Sequence, residues 1–176
     1  MFEQVLVAVD GSSTGKRGLE AAIGLAADQK ATLTILHVVD ATAGTAYVGD
    51  MGYIPANYID NLLDDLRANG RKVLAKAEAT AAKAGVPAKT VLVETKNGSI
   101  ADAILGQARK LKSSVIVMGT HGRRGLRRVV MGSDAEAVVR EARVPVLLVR
   151  EPERATPASR GRAPESPRAG KGSRAT

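Results

Sequence analysis

Four glycines and a serine stand at telling spacing in the segment Gly119-Thr120-His121-Gly122-Arg123-Arg124-Gly125-Leu-Arg-Arg-Val-Val-Met-Gly132-Ser133. Gly119 and Gly122 follow the unbroken apolar run Ser114 to Met118, which reads as a buried strand. Glycine has no Cβ, so the backbone there can take positive φ and turn several N–H groups toward one anion. Gly132 and Ser133 stand at the start of a helical pattern, where free N–H groups and the helix dipole favour negative charge. The Ser133 hydroxyl adds another donor. Hydrogen bonds to a charged group contribute roughly 1.5–3 kcal/mol each, so about four or five would hold a triphosphate without a lysine. Phosphate binding is the chemistry that this spacing serves.

The elements that must position such a loop alternate along the chain. Val5 to Val9 is a short apolar run that stops at the turn Asp10-Gly11-Ser12-Ser13. Thr14 to Gln29 carries apolar residues at helical spacing, and Thr32 to Val39 reads as the second strand. Positions 40 to 55 hold four glycines or prolines and no clear period, so a functional or mobile connection is expected. A long helical pattern follows from Ala56 to Ala84, interrupted by Gly70 and ended by Gly85-Val86-Pro87. Thr90 to Glu94 is the third strand. Ser99 with Asp102 reads as a capping box opening a helix to about Leu111, and Ser133 with Glu136 as a second opening a helix to about Ala142. Ser114 to Met118 is a central fourth strand. Val144 to Val149 is the fifth, with Pro145 suiting an edge.

Five strands separated by helices predict an open, doubly wound α/β fold: a Rossmann-like parallel sheet in the order 3-2-1-4-5, with helices on both faces. Ligands of such sheets sit beyond the carboxyl ends of the strands, where the winding reverses. The strand ends flanking that point are Asp10 and Gly119. Two suggestive turns far apart in the chain are thus expected to face one cleft.

Composition narrows the function classes. The 176 residues suit one domain, and 44% are hydrophobic, enough for a core. Only 2% are aromatic, so the core must be aliphatic, and base-stacking nucleic-acid platforms are disfavoured. With no cysteine, disulfides, thiolate metal sites and thiol nucleophiles are excluded. No apolar run approaches the roughly 20 residues that span a membrane, and Met1 to Val7 leads into a strand without a basic leader. A soluble cytoplasmic protein is expected.

The formal net charge is +8, and residues 151–176 contribute six Lys/Arg against three Asp/Glu. That tail lacks Val, Ile, Leu, Met and every aromatic residue and holds four of the seven prolines. It is expected to be a disordered basic extension to a folded domain of residues 1–150.

The pattern Gly-x2-Gly-x9-Gly-Ser from Gly119 to Ser133 resembles the ATP-binding signature of the universal stress proteins. Val7-Ala8-Val9-Asp10-Gly11-Ser12 and His37-Val38 are similar to the same family, and the resemblance covers residues 1–150. It implies that Ala8, Val9, Asp10 and Val38 line adenine and ribose. It further implies that Gly119, Thr120, His121, Gly122, Arg123, Arg124 and Gly125, with Gly132, Ser133, Asp134 and Ala135, hold the phosphates of ATP, with or without Mg²⁺. Some ATP-binding members have Pro where this chain has Ala8. The resemblance also implies a homodimer paired through the fifth strand, Val146 to Val149; a phosphate cradle without evident catalytic machinery leads us to expect a regulatory protein partner as well.

Each of these residues also has a plainer role. Asp10 could simply cap the first helix, although its place at the switch point favours ligand contact. His121 lies between two turn glycines and suits a phosphate donor better than a catalyst, because no second base or orienting carboxylate is identifiable beside it. His37 on an apolar strand reads as a core histidine. Arg123, Arg124, Arg127 and Arg128 could be a solvated face or could include a phosphate contact. Gly11-x3-Gly15-Lys16-Arg17 is one residue short of a P-loop and lacks its Ser/Thr. The functional expectation is therefore a regulatory nucleotide-binding module in stress response, with at most weak ATP hydrolysis. The alternatives are a slow ATPase or phosphotransferase using Asp10, and a nucleic-acid-associated protein acting through the tail.

Overall fold

The computed structural model describes residues 1–44, 56–95, 99–121 and 131–150. Strands β1 (Gln4–Ala8), β2 (Thr32–Asp40), β3 (Ala88–Thr95), β4 (Val115–Gly119) and β5 (Val146–Val149) alternate with helices α1 (Ser13–Gln29), α2 (Ala56–Lys83), α3 (Ile100–Lys110) and α4 (Ser133–Glu141). A 3₁₀ turn, Ala41–Gly44, follows β2. The strands form one sheet in the order β3-β2-β1-β4-β5, and every neighbouring pair is parallel. In register, Val5 of β1 lies between Leu33 of β2 and Val115 of β4. This is the architecture expected from the alternation of patterns.

The period of two in the strands decides which helix goes where. Val5, Val7, Leu33, Ile35, Val115 and Val117 point to one face, where Leu19, Ala22, Ile23 and Ala26 of α1 and Leu74, Ala77 and Ala81 of α2 cover them. Leu6, Leu36, Ile116 and Met118 point to the other face, against Ala101, Ile104, Leu105 and Ala108 of α3 and Ala135 and Val138 of α4. Sealing each large aliphatic side chain from water contributes roughly 1.5–3 kcal/mol. Because β1 is sandwiched on both faces and both edges, its position is fixed from four sides.

The helix ends follow local chemistry. Ser12 caps α1, its hydroxyl accepting from Gly15 N–H at 3.0 Å. The capping box expected at Ser99 is present: Asp102 N–H donates to Ser99 Oγ at 3.0 Å, and Ser99 N–H donates to Asp102 Oδ2 at 3.4 Å. α2 ends at Lys83, and Gly85 just beyond it takes φ +74°, a left-handed conformation that costs glycine little.

Two expectations fail. The box placed at Ser133 is absent: Gly132 is the N-cap, Ser133 already lies inside α4, and the cap residue makes no side-chain bond. The chain enters one residue early because Gly132 N–H is held by the Thr120 carbonyl at 2.9 Å, leaving its own carbonyl to accept from Glu136 N–H. Nor does Gly70 interrupt the long helix, which runs unbroken from Ala56 to Lys83. A Cβ at Gly70 would lie 2.7 Å from His37 Cδ2 and 2.8 Å from Leu92 Cδ1, so the glycine is there for close approach to the sheet. Nearby, Arg67 of α2 grips Glu94 of β3 through two bonds of 2.7 and 2.9 Å and reaches Asp64 at 2.9 Å. Those hydrogen bonds, Glu94 first, hold the guanidinium pKa above its ordinary value.

Candidate functional site

The winding reverses between β1 and β4, and a cleft of about 420 Å³ opens at their carboxyl ends. Ligand pockets are commonly of this size. Its walls include Ala8, Val9 and Asp10 from the β1 end, Val38 from β2, Gly119, Thr120 and His121 from the β4 end, and Gly132, Ser133, Asp134 and Ala135 from the start of α4. The geometry thus brings together candidates from both halves of the chain. Gly122, Arg123, Arg124 and Gly125 lie outside the described residues.

Each wall has its own cause. Beyond β1, Val9 N–H still donates to Leu36 O at 2.9 Å, so the chain stays beside β2 for one residue more. The Val9 carbonyl lies 2.7 Å from His37 Nδ1; a carbonyl only accepts, so Nδ1 carries the proton. His37 is buried as expected of a core residue, yet it also borders the cleft. Asp10 then turns inward. Its Oδ1 accepts from Ser12 N–H at 3.0 Å and from the Ser12 hydroxyl at 2.6 Å. Asp10 is therefore not the cap of α1 but the residue that orients the cap.

The β4 end is pinned to both neighbouring helices. Thr14 of α1 donates its hydroxyl hydrogen bond to the His121 carbonyl. A Cβ on Gly119 would come within 2.9 Å of the Thr14 carbonyl carbon, so only glycine lets the first turn of α1 pack here. Thr120 N–H donates to Val149 O at 3.0 Å, and the Thr120 carbonyl receives Gly132 N–H at 2.9 Å. These bonds set the first turn of α4 directly beside the strand end. The Thr120 hydroxyl and His121 Nδ1 are 3.0 Å apart.

The first turn of α4 brings backbone N–H donors to the cleft, beside the acidic Asp134. With glycine as the cap, no cap side chain bonds its backbone donors, and Ser133 and Ala135 line the space beside them. Asp10, Asp40 and Asp134 bring carboxylates to the same cleft. It can therefore receive a ligand that offers acceptors to α4 and hydroxyls to the carboxylates.

Sequence reasoning missed several lining residues: Gly15 of α1, Asp40 of β2, Leu66 and Asn69 of α2, and Ile100 and Ile104 of α3. Asn69 had a signal, a polar residue beside a glycine at the border of the apolar stripe. The crossing of α2 over the sheet end, which brings it into the cleft, had none.

Residues 1–150 match the family model described as the universal stress protein family. The chain belongs to the universal stress protein family. The universal stress protein YxiE of Bacillus subtilis is 38% identical over 151 residues, covering 85% of this chain and 100% of that one. A crystal structure of a universal stress protein family member from Burkholderia pseudomallei is 37% identical, with a TM-score of 0.66, covering 84% of this chain and 95% of that one. The universal stress protein of Archaeoglobus fulgidus solved in complex with dAMP is 21% identical, with a TM-score of 0.60, and covers 84% of this chain and 97% of its own. That likeness is one of fold. Among the described residues of this universal stress protein, no helix is long and apolar enough to cross a membrane.

Proposed function

We propose that the cleft binds an adenine nucleotide, ATP in particular, and that the chain works as a nucleotide-dependent regulatory module in stress response. The observation that carries this reading is the glycine-capped first turn of α4 lining one cleft with the carboxylate of Asp10. Phosphate oxygens would meet the N–H groups of Ser133, Asp134 and Ala135, the Ser133 hydroxyl, and Thr120 and His121. Gly122, Arg123, Arg124 and Gly125 would complete that contact, and Mg²⁺ would accompany the triphosphate. Ala8, Val9 and Val38 would flank the base, and the Asp10 carboxylate suits a ribose hydroxyl, an acceptor set against a donor. The dAMP complex of the Archaeoglobus fulgidus relative supports an adenine nucleotide as the ligand class. The same reading includes a homodimer paired through β5, an edge strand on which Leu147 is exposed.

The test is to denature the purified protein, chromatograph the supernatant for nucleotide, and titrate nucleotide-free protein with ATP by calorimetry. Bound adenine nucleotide, or a dissociation constant in the micromolar range, is expected. No nucleotide, together with no affinity below millimolar, rejects the reading. Steady-state hydrolysis lost in Asp10→Ala with binding retained would replace the regulatory role by an ATPase.

A further inference from the structure

On the far side of the β1–α1 turn from the cleft, α1 and α2 leave a second groove of about 340 Å³. Leu19, Val73 and Ala77 make its floor apolar, while Lys16, Lys72 and Lys76 stand on its rim with one acid, Glu20. All three lysines are exposed, and among the described residues none of them is in an ion pair. Unpaired lysines around an apolar floor are an arrangement that the fold does not need.

We propose that this groove docks an acidic segment of a partner protein, with one or two of its apolar side chains seated on Leu19, Val73 and Ala77. Charge supports that choice, because the rim offers three cations against one anion. Length supports a short segment: Lys72 to Thr80 spans about 12 Å of helix, the reach of about four extended residues. Among the described residues, the groove lining contains no aromatic side chain on which a base could stack, which favours protein over nucleic acid. The chain's own tail is a poor occupant. Its six Lys/Arg against three Asp/Glu would repel the rim, and it has no Val, Ile, Leu, Met or aromatic side chain for the floor. Val9 and Gly15 line both this groove and the cleft, so a docked partner would lie against the turn that carries Asp10.

The experiment uses the full chain without nucleotide, so that it stands apart from the reading of the cleft. A fluorescein-labelled peptide of Glu and Asp with two Leu is titrated at low salt and followed by anisotropy. Saturable binding is expected. It should weaken about tenfold in Lys72→Glu/Lys76→Glu, whose exposed substitutions leave the circular dichroism and melting temperature unchanged, and it should be screened by salt. A peptide with Lys in place of the acids should bind that variant better than the original chain. A peptide with Ser in place of both Leu should bind more weakly than its parent. Absence of saturable binding, or equal binding by the charge-reversed variant, overturns the proposal. So does an oligonucleotide that binds through the same lysines when the peptide does not. An oligomer of the original chain that Lys72→Glu/Lys76→Glu dissociates would assign the groove to a second copy and overturn it equally.

Discussion

Helices α1 and α4 both begin at the cleft, yet their first turns are finished in opposite ways. In α1, Ser12 receives the N–H of Gly15 while Asp10 receives the hydroxyl and N–H of Ser12, so side chains of the turn itself engage the end. In α4, the cap is Gly132, which has no side chain to bond the first turn. A closed end supplies shape and a fixed carboxylate; an open one supplies donors. The difference divides the cleft into a rigid half and a receptive half, and it can be tested from either side.

The largest effect is expected from closing the open end. Gly132 has φ −64°, so another residue fits its backbone. Gly132→Asp should lower ATP affinity on the order of a hundredfold, the equivalent of one or two charged hydrogen bonds. The melting temperature should hold, since aspartate caps a helix better than glycine by only about a few tenths of a kcal/mol. Unchanged ATP affinity in calorimetry would remove the phosphate role of α4.

Next comes the joint between the two ends. Gly119→Ala places a Cβ 2.9 Å from the Thr14 backbone, which cannot step aside without moving α1. Urea unfolding should give a loss of roughly 1–3 kcal/mol. A smaller loss would mean that the helix slides freely over the strand end.

Ser133→Ala then asks what the open end gives through a side chain rather than its backbone. ATP affinity should fall about tenfold, with unfolding free energy within about 0.5 kcal/mol of the parent. Affinity that stays level would leave the backbone as sole donor. The reverse pattern is expected of Ser12→Ala. It should cost about 1 kcal/mol of stability through the lost cap and change ATP affinity by less than about threefold. If Ser12→Ala abolished binding while leaving stability alone, the division into rigid and receptive halves would be wrong.

Much of this was legible because strands and helices carry different periods. The apolar runs Val5 to Val9 and Ser114 to Met118 gave away the two strands whose ends meet at the cleft, whereas which helix covers which face emerged only from the two sides of the core. Ser99 with Asp102 announced its helix through chemistry internal to four residues. Ser133 with Glu136 carried the same letters and no box formed, because the deciding partner of Gly132 is Thr120, distant in sequence and adjacent in space. Gly70 failed for a related reason. A helical glycine lowers helix propensity, but its cause here is a histidine ring on another element. The cleft followed the same rule: strand-end residues could be named from topology, whereas Asn69 and Ile104 entered through helix crossings that no local pattern encodes.

The pairing of β1 with β4 joins Val5 to Val115, so the cleft is made by the two ends of most of the domain. A growing chain that has delivered β1, β2 and β3 to the outside of the ribosome possesses most of the helical mass and no crevice at all. Closing that contact carries the entropy of a long loop, and it is met only when the penultimate strand arrives. Occupancy of the cleft therefore certifies a finished molecule: any nucleotide held there would be withheld from incomplete or partly opened chains, and would favour the completed fold by mass action.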